Sequence, residues 1–199
     1  MSSGTNYGLV ILASGQSHRF GDKDKLLAPF RGKALATHAA TLALDPQLTT
    51  CICVLRPACP QLERIFLSAN TEFVVNGKPQ DGQGRSLSLG ISAIAQHSCD
   101  GAFVILADMP FVKTSHLNLL RHGIGDHEAA IAFNGQRRSP PALFRRSMFQ
   151  RLISQTGDSG AKDILRDSAS VKNIAMPADD LIDIDSPEDL KRYDSIKSP

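Results

Sequence analysis

The 199-residue sequence has no apolar run long enough to cross a bilayer. The first such run covers only about six residues, too few for a membrane span or the core of a secretory signal. The segment ahead of it, Met1 to Tyr7, is small and polar without a basic residue, so a cytoplasmic protein is expected. Charge of one sign is also scarce: 22 Lys and Arg against 20 Asp and Glu leave a formal net charge of +2. With no clustered basic stripe, that balance argues against a nucleic-acid or membrane partner, while a small polyanion needs only a local pocket. The four cysteines, Cys51, Cys53, Cys59 and Cys99, include no CxxC ligand pair and are expected as reduced, packed thiols. The histidines His18, His38, His97, His116, His122 and His127 form no metal-spaced group, and His18 stands out only by lying inside a polar loop described below. No internal repeat, low-complexity tract or long linker interrupts the chain.

What is present is ordinary for a folded protein: 42% hydrophobic and 21% charged residues, in a length suited to one domain over residues 1–199. Unalternating apolar runs at residues 9–13, 51–55, 73–75 and 102–107 read as strands buried on both faces. Helical patterns at 35–44, 61–69, 86–96 and 115–122 separate or follow them, the last with Thr114 as its expected N-cap. The second half adds a strand at 129–133, a short segment around 142–144, helices near 148–154 and 161–167, and a strand at 171–175. Ser186, Pro187, Glu188 and Asp189 open a final helix with an N-cap, a proline at the first helical position and acids in the first turn. This rhythm predicts an α/β fold, a mostly parallel sheet covered on both faces in a Rossmann-like three-layer α/β/α arrangement.

In such a sheet ligands bind outside the carboxyl ends of the strands, which directs attention to the loops after the first and fourth runs. The first loop reads Ser14, Gly15, Gln16, Ser17, His18, Arg19, Phe20, Gly21, Asp22, Lys23, Asp24, Lys25. Small residues let backbone N–H groups turn toward an anion, and Arg19 with a lysine supplies positive charge for a triphosphate. The loop is not a Walker motif, because Gly15 and Gly21 have five residues between them and Asp22 follows; nor does any GxGxxG fingerprint occur. The fourth run ends in Ala107, Asp108, Met109, Pro110, which puts a carboxylate at the sheet edge where Mg²⁺ could be held. A second acidic group, Asp179, Asp180, Asp183 and Asp185, precedes the last helix and offers the other carboxylates that could join Asp108, with Asp185 preferred. Asn76 and Gly77, then the segment from Gly82 through Ser86 to Gly90, form a glycine-rich helix entry suited to anions and polar base edges.

Taken together and in this order, residues 12–27, Asn76 with residues 82–90, and residues 106–110, 157–165 and 184–190 resemble the MobA-like nucleotidyltransferases. Within that family the likeness is greatest to the CTP:molybdopterin cytidylyltransferase branch, with the guanylyltransferase branch next. The resemblance implies a nucleotide-diphospho-sugar transferase-like fold and a Mg²⁺-dependent enzyme of molybdenum cofactor biosynthesis. Its substrates would be CTP, or GTP, and a phosphorylated acceptor, molybdopterin, with a molybdoenzyme as a further partner. Residue by residue, it implies a nucleotide site of Leu12, Ala13, Ser14, Gly15, Arg19, Lys25, Asn76, Gly82, Ser86 and Gly90. Arg19, Lys25 and Asp108 would be catalytic, with Asp108 and Asp185 as Mg²⁺ ligands. Three departures stand out. Ser14 replaces a smaller residue, the loop is one residue longer and leaves Lys23 as a rival to Lys25, and Ser139, Pro140, Pro141 occupy the place of a Gly-His-Pro element. Sugar or isoprenoid phosphates as acceptors, and a non-catalytic nucleotide-binding maturation factor, are the alternative readings.

Overall fold

The computed structural model describes residues 5–21, 23–67, 71–155, 157, 160–167 and 170–195. The first strand, β1 (Tyr7–Ala13), is buried along its whole length, as its unbroken apolar run requires. A loop and a two-stranded hairpin, β2 (Pro29–Phe30) and β3 (Lys33–Ala34), lead into α1 (Leu35–Ala40). Then come β4 (Leu48–Leu55), α2 (Pro60–Leu67), β5 (Glu72–Val75), α3 (Gln83–Ile94) and β6 (Gly101–Leu106). The second half contains α4 (Thr114–Gly123), β7 (Ala129–Phe133), β8 (Arg138–Arg145), α5 (Phe149–Ile153), α6 (Lys162–Asp167), β9 (Val171–Ala175) and α7 (Pro187–Asp194). Seven strands form one sheet in the order β5-β4-β1-β6-β8-β7-β9. All run in one direction except β8, which is antiparallel to both neighbours.

Alternation along the strands divides the core into two layers. Leu9 and Ile11, Cys53 and Leu55, and Phe103 and Ile105 pack toward α1, α2 and α4, whereas Val10, Ile52, Val54 and Val104 pack toward α3, α5 and α6. The predicted three-layer arrangement is what the chain adopts. The four cysteines are free and buried, and burial pushes the Cys51 thiol up to about 12 against a hydrogen bond from Thr71.

Several expectations need correction. The 73–75 run is not buried on both faces: β5 is an edge strand, and Val75 is 54% exposed. Thr114 is the first residue of α4 rather than its cap; the backbone N–H of Lys113 instead donates to Nδ1 of the buried His116 at 3.0 Å. The short segment expected at 142–144 is the second half of an eight-residue strand, β8. Pro140 and Pro141 lack N–H groups for the ladder, and they fall where pairing with β6 stops, at Val104 and Ala142, and where the register against β7 shifts. The predicted helix over 35–44 tightens into a 3-10 turn from Thr41 on. The last two residues of the helix expected at 61–69, and the side chain of His18, lie outside the described residues.

Gly90 belongs to this packing. A Cβ there would come within 2.5 Å of a Val10 methyl and 3.0 Å of a Val54 methyl, so the glycine is what lets α3 settle onto β1 and β4. Gly90→Ala is therefore expected to lower stability by about 1–3 kcal/mol, the usual cost of overpacking a filled core. Thermal unfolding checks this; an unchanged melting temperature with weakened nucleotide binding would return Gly90 to the ligand site.

Candidate nucleotidyl-transfer site

Because β5, β4, β1 and β6 are parallel, their carboxyl ends deliver Asn76, Arg56, Ser14 and Asp108 to one edge of the sheet. The chain reverses its strand order at β1, which opens a crevice between β1 and β6. Asp108 follows β6 by two residues. Asp185 reaches it from the far end of the sequence because the Ile184 N–H donates to the Asp108 carbonyl at 3.0 Å. Just beyond, Ser186 caps α7 in a reciprocal box: its hydroxyl accepts from the Asp189 N–H at 3.1 Å, and the Asp189 carboxylate accepts from Ser186 N–H at 2.9 Å. The same carboxylate accepts from the Asp185 N–H at 3.2 Å, so the turn that presents Asp185 is fixed on both sides. The Ser186 hydroxyl also donates to the Asp189 carboxylate, and these bonds hold the Asp189 carboxyl below its ordinary range.

Between the two aspartates lies Lys25. Its Nζ donates to Asp108 Oδ2 at 2.6 Å and to Asp185 Oδ1 at 3.0 Å. Arg19 adds a more exposed contact, 3.3 Å from Asp185 Oδ2. Burial pulls the Lys25 ammonium down, but the charge and hydrogen bond of Asp108, helped by Asp185, more than reverse this and leave it above its ordinary value. Burial pushes the Asp108 carboxyl up; Lys25 opposes that rise, while Asp183 and Asp185 add to it. Asp108 is therefore a carboxylate short of positive charge even with Lys25 beside it. Its Oδ1 is buried and has no hydrogen-bond partner among the described residues, an arrangement that costs free energy unless a donor or cation meets it. Among the described residues no group of three or more metal-ligating side chains occurs. Two converging carboxylates with one orphaned oxygen suit a hard divalent ion that takes its remaining ligands from phosphate oxygens.

Two connected spaces open beside this cluster. A polar cleft of about 520 Å³ is lined by Ser14, Gly15, Gln16, Pro79, Gln80, Gly82, Gln83, Ser86 and Asp108. An apolar chamber of about 440 Å³ shares Leu12, Leu106 and Gln83 with it. The chamber continues over Leu87, Val104, Ile131, Pro140, Ala142 and Phe144, under a rim that includes Arg138 and Lys162. It lies where Pro140 and Pro141 end the pairing of β8 with β6.

Most of the residues expected from sequence meet here. Ser14, Gly15, Gly82, Ser86, Leu12 and Asp108 line the cleft, and Arg19, Lys25 and Asp185 join Asp108 in one charged cluster. The Ser14 and Ser86 hydroxyls are 2.6 Å apart. Fully buried Asn76 lies behind them and does not line the cleft: its amide donates to Ser86 Oγ at 3.0 Å and its oxygen accepts from Arg85 Nε at 3.1 Å. Ala13 is buried as the last residue of β1. Gly90 is not brought into this group, since it packs against Val10 and Val54. Lys23, the rival to Lys25, is exposed, and only Lys25 joins the two carboxylates.

Sequence reasoning missed Arg56 and Asp24. Asp24 Oδ1 accepts from the Leu26 N–H at 3.0 Å and so caps the 3-10 turn Lys25–Leu27 that carries the lysine. Arg56, the first residue after β4, pairs through Nη2 with the other oxygen of Asp24 and donates through Nη1 to the Gly15 carbonyl at 3.4 Å. One guanidinium thus joins both ends of the loop. Examining every carboxyl strand end, rather than those of β1 and β6 alone, would have found it.

Comparison with known proteins agrees with this geometry. The family described as "MobA-like NTP transferase domain" matches residues 9–173. "Purine catabolism protein PucB" of Bacillus subtilis (strain 168) is 29% identical over 198 residues, covering 94% of each chain. A "Molybdenum cofactor guanylyltransferase" of Shewanella sp. (strain ANA-3) is 23% identical over 197 residues, covering 92% of each. Among solved structures, Rv0371c from Mycobacterium tuberculosis H37Rv superposes with a TM-score of 0.81 at 23% identity, over 95% of this chain and 97% of that one. Its complex with manganese superposes with a TM-score of 0.77 at 20% identity, over 96% of this chain and 100% of that one. These structures establish the fold, that of the nucleotide-diphospho-sugar transferases.

Removing Arg56 would leave the largely buried Asp24 carboxylate without its ion pair. Arg56→Ala is expected to cost about 1–3 kcal/mol in denaturant unfolding and to weaken triphosphate binding by loosening the loop. Adding Asp24→Asn to that variant should return part of the stability. If the two losses simply add, the pair is not coupled.

Proposed function

The chain belongs to the MobA-like NTP transferase family, and from that membership we propose that it is a cytoplasmic, Mg²⁺-dependent enzyme transferring CMP from CTP to molybdopterin. The observation that most supports nucleotidyl transfer is the position of Lys25, held between Asp185 and the Asp108 that lines a polar cleft, which shares Leu12, Gln83 and Leu106 with an apolar chamber. In this reading the cleft takes the triphosphate and base. The chamber takes the body of the acceptor and aims its phosphate at the α-phosphorus.

A terminal phosphate oxygen of the acceptor forms a new bond to the α-phosphorus as the bond to the α–β bridging oxygen breaks. Pyrophosphate leaves with the electron pair. An ionised phosphate needs no general base, so the side chains contribute by positioning and by charge. Lys25 and Arg19 neutralise the crowded phosphate oxygens and the departing pyrophosphate. Backbone N–H groups of the Ser14–Gly15 turn suit the triphosphate, as small residues in a loop at a strand end do elsewhere. Asp108 and Asp185 would hold the divalent ion, which would supply Lewis-acid neutralisation of phosphate charge. Ser86, fixed by Asn76, offers a hydroxyl to the nucleotide, and Gly82, with its φ of +88°, keeps the helix entry free of a side chain.

GTP is the second reading, supported by relatives described as guanylyltransferases. The chamber's apolar walls suit the flat faces of a pterin ring, with Gln83, Arg138 and Lys162 in the lining for its polar edges. A molybdoenzyme would then receive the product. A non-catalytic maturation factor is separated from all of these by triphosphate binding without pyrophosphate release.

Pyrophosphate release with molybdopterin and Mg²⁺, measured with CTP, GTP, ATP and UTP in parallel, is expected with CTP; release with GTP alone would make the chain a guanylyltransferase. Asp108→Asn should abolish release while the protein stays folded by circular dichroism. Lys25→Ala should lower the rate by about 2.7–4 kcal/mol, that is roughly 100- to 1000-fold, by analogy with lost oxyanion donors. Lys23→Ala should remain near wild type, and the reverse ranking would move the phosphate role to Lys23.

A further inference from the structure

The residues assigned to the phosphates and those assigned to the divalent ion hold one another. The Lys25 ammonium takes Asp108 Oδ2 at 2.6 Å and Asp185 Oδ1 at 3.0 Å, and the lysine and Asp108 side chains are only 12% and 19% exposed. The buried Asp108 carboxylate has little room to move away, whereas the Asp185 side chain is 45% exposed. The bond from Ile184 N–H to the Asp108 carbonyl and the capped start of α7 fix their backbones relative to each other. The backbone of Lys25 is also pinned, by the Asp24 cap on its turn and by its own N–H donating to Ser17 Oγ at 3.3 Å. What can move is the four-carbon stem of the lysine.

Lys25 leaves Asp108 Oδ1 without a partner and Arg19 meets Asp185 Oδ2, so an ion drawn to the same two carboxylates would stand beside the ammonium, and like charges so close repel strongly where water is scarce. We propose that Lys25 is a built-in competitor for the divalent-ion site, so that the ion alone binds weakly and the ion and a polyphosphate bind cooperatively. Phosphate oxygens give the ammonium a new anionic partner beside the cluster, and the carboxylates it leaves become available to the ion. Each ligand thereby removes the obstacle to the other, and the coupling must be equal in both directions. Arg19, 70% exposed on Asp185, contributes a smaller share of the same exchange. A nucleoside triphosphate and its ion would therefore be taken up together, with little loading by free ion.

This inference rests on the reading of Asp108 and Asp185 as ion ligands, and the experiment separates the two. Binding of Mn²⁺ alone, followed by the electron paramagnetic resonance of the free ion, is compared in the wild type, Lys25→Met, Lys25→Gln and Asp108→Asn. Removing a charged hydrogen-bonding competitor should tighten Mn²⁺ binding roughly tenfold or more in Lys25→Met. Lys25→Gln, neutral but still able to donate to Asp108, should fall between it and the wild type, and it carries the comparison if Lys25→Met fails to fold. Inorganic tripolyphosphate, which has no base to select, should gain more from added Mn²⁺ in the wild type than in either variant. Unchanged or weaker Mn²⁺ binding in both lysine variants, with Asp108→Asn still lowering it, would overturn the competitor role alone. Mn²⁺ binding insensitive to Asp108→Asn would overturn the ion reading and the competitor role with it.

Discussion

A lysine ammonium and an aspartate carboxylate withdrawn from water together are tolerable only while they face each other; removing one leaves an uncompensated charge in a poor solvent for it. Lys25 and Asp108 impose that condition on the chain. Lys25 is delivered by a loop leaving β1, and Asp108 by the end of β6, two neighbouring strands whose carboxyl ends share one sheet edge because they pair in parallel. The loop then needs its own support, which Asp24 provides by capping the turn and Arg56 by tying that turn to Gly15 and to the end of β4. The second carboxylate arrives through β9 and the Ile184–Asp108 backbone bond, so the last strand and helix also serve the cluster.

The two spaces beside the cluster differ because different elements line them. The cleft borrows the polar turn after β1 and the glycine-rich entry to α3, where backbone and short side chains leave room for an anion. The chamber borrows the sheet itself, where β6 and β8 part at Val104 and Ala142 and their apolar faces meet Leu87. A pair of prolines, unable to continue the ladder, thus fits the place where the sheet opens. The charged cluster stands beside the cleft, with Asp108 on its wall.

Much of this was legible in the sequence. Strands β1, β6 and β7 and the second half of β4 are apolar runs, and the 129–133 and 171–175 expectations match β7 and β9 residue for residue, although β9 carries Lys172 and Asn173. β8 was only half visible, because Pro140 and Pro141 suppress the strand signal in its first half. Asp108, Asp185, Lys25 and Arg19, which the structure brings into one cluster, could be named from sequence because each stands in a segment whose order along the chain is informative. Gly90, expected from sequence at the nucleotide site, packs against Val10 and Val54, and a glycine that admits a neighbouring strand looks in sequence like one that admits a ligand. Arg56 escaped because it carries no motif; its role comes from the lateral order of the strands, which sets β4 beside β1.

The most direct test is a crystal structure of the protein with Mn²⁺ and a non-hydrolysable CTP analogue, with the ion located by its anomalous scattering. The ion should lie against the carboxylates of Asp108 and Asp185, with Lys25 Nζ turned onto a phosphate oxygen. An ion held elsewhere, with Lys25 still bonded to Asp108, would contradict the account.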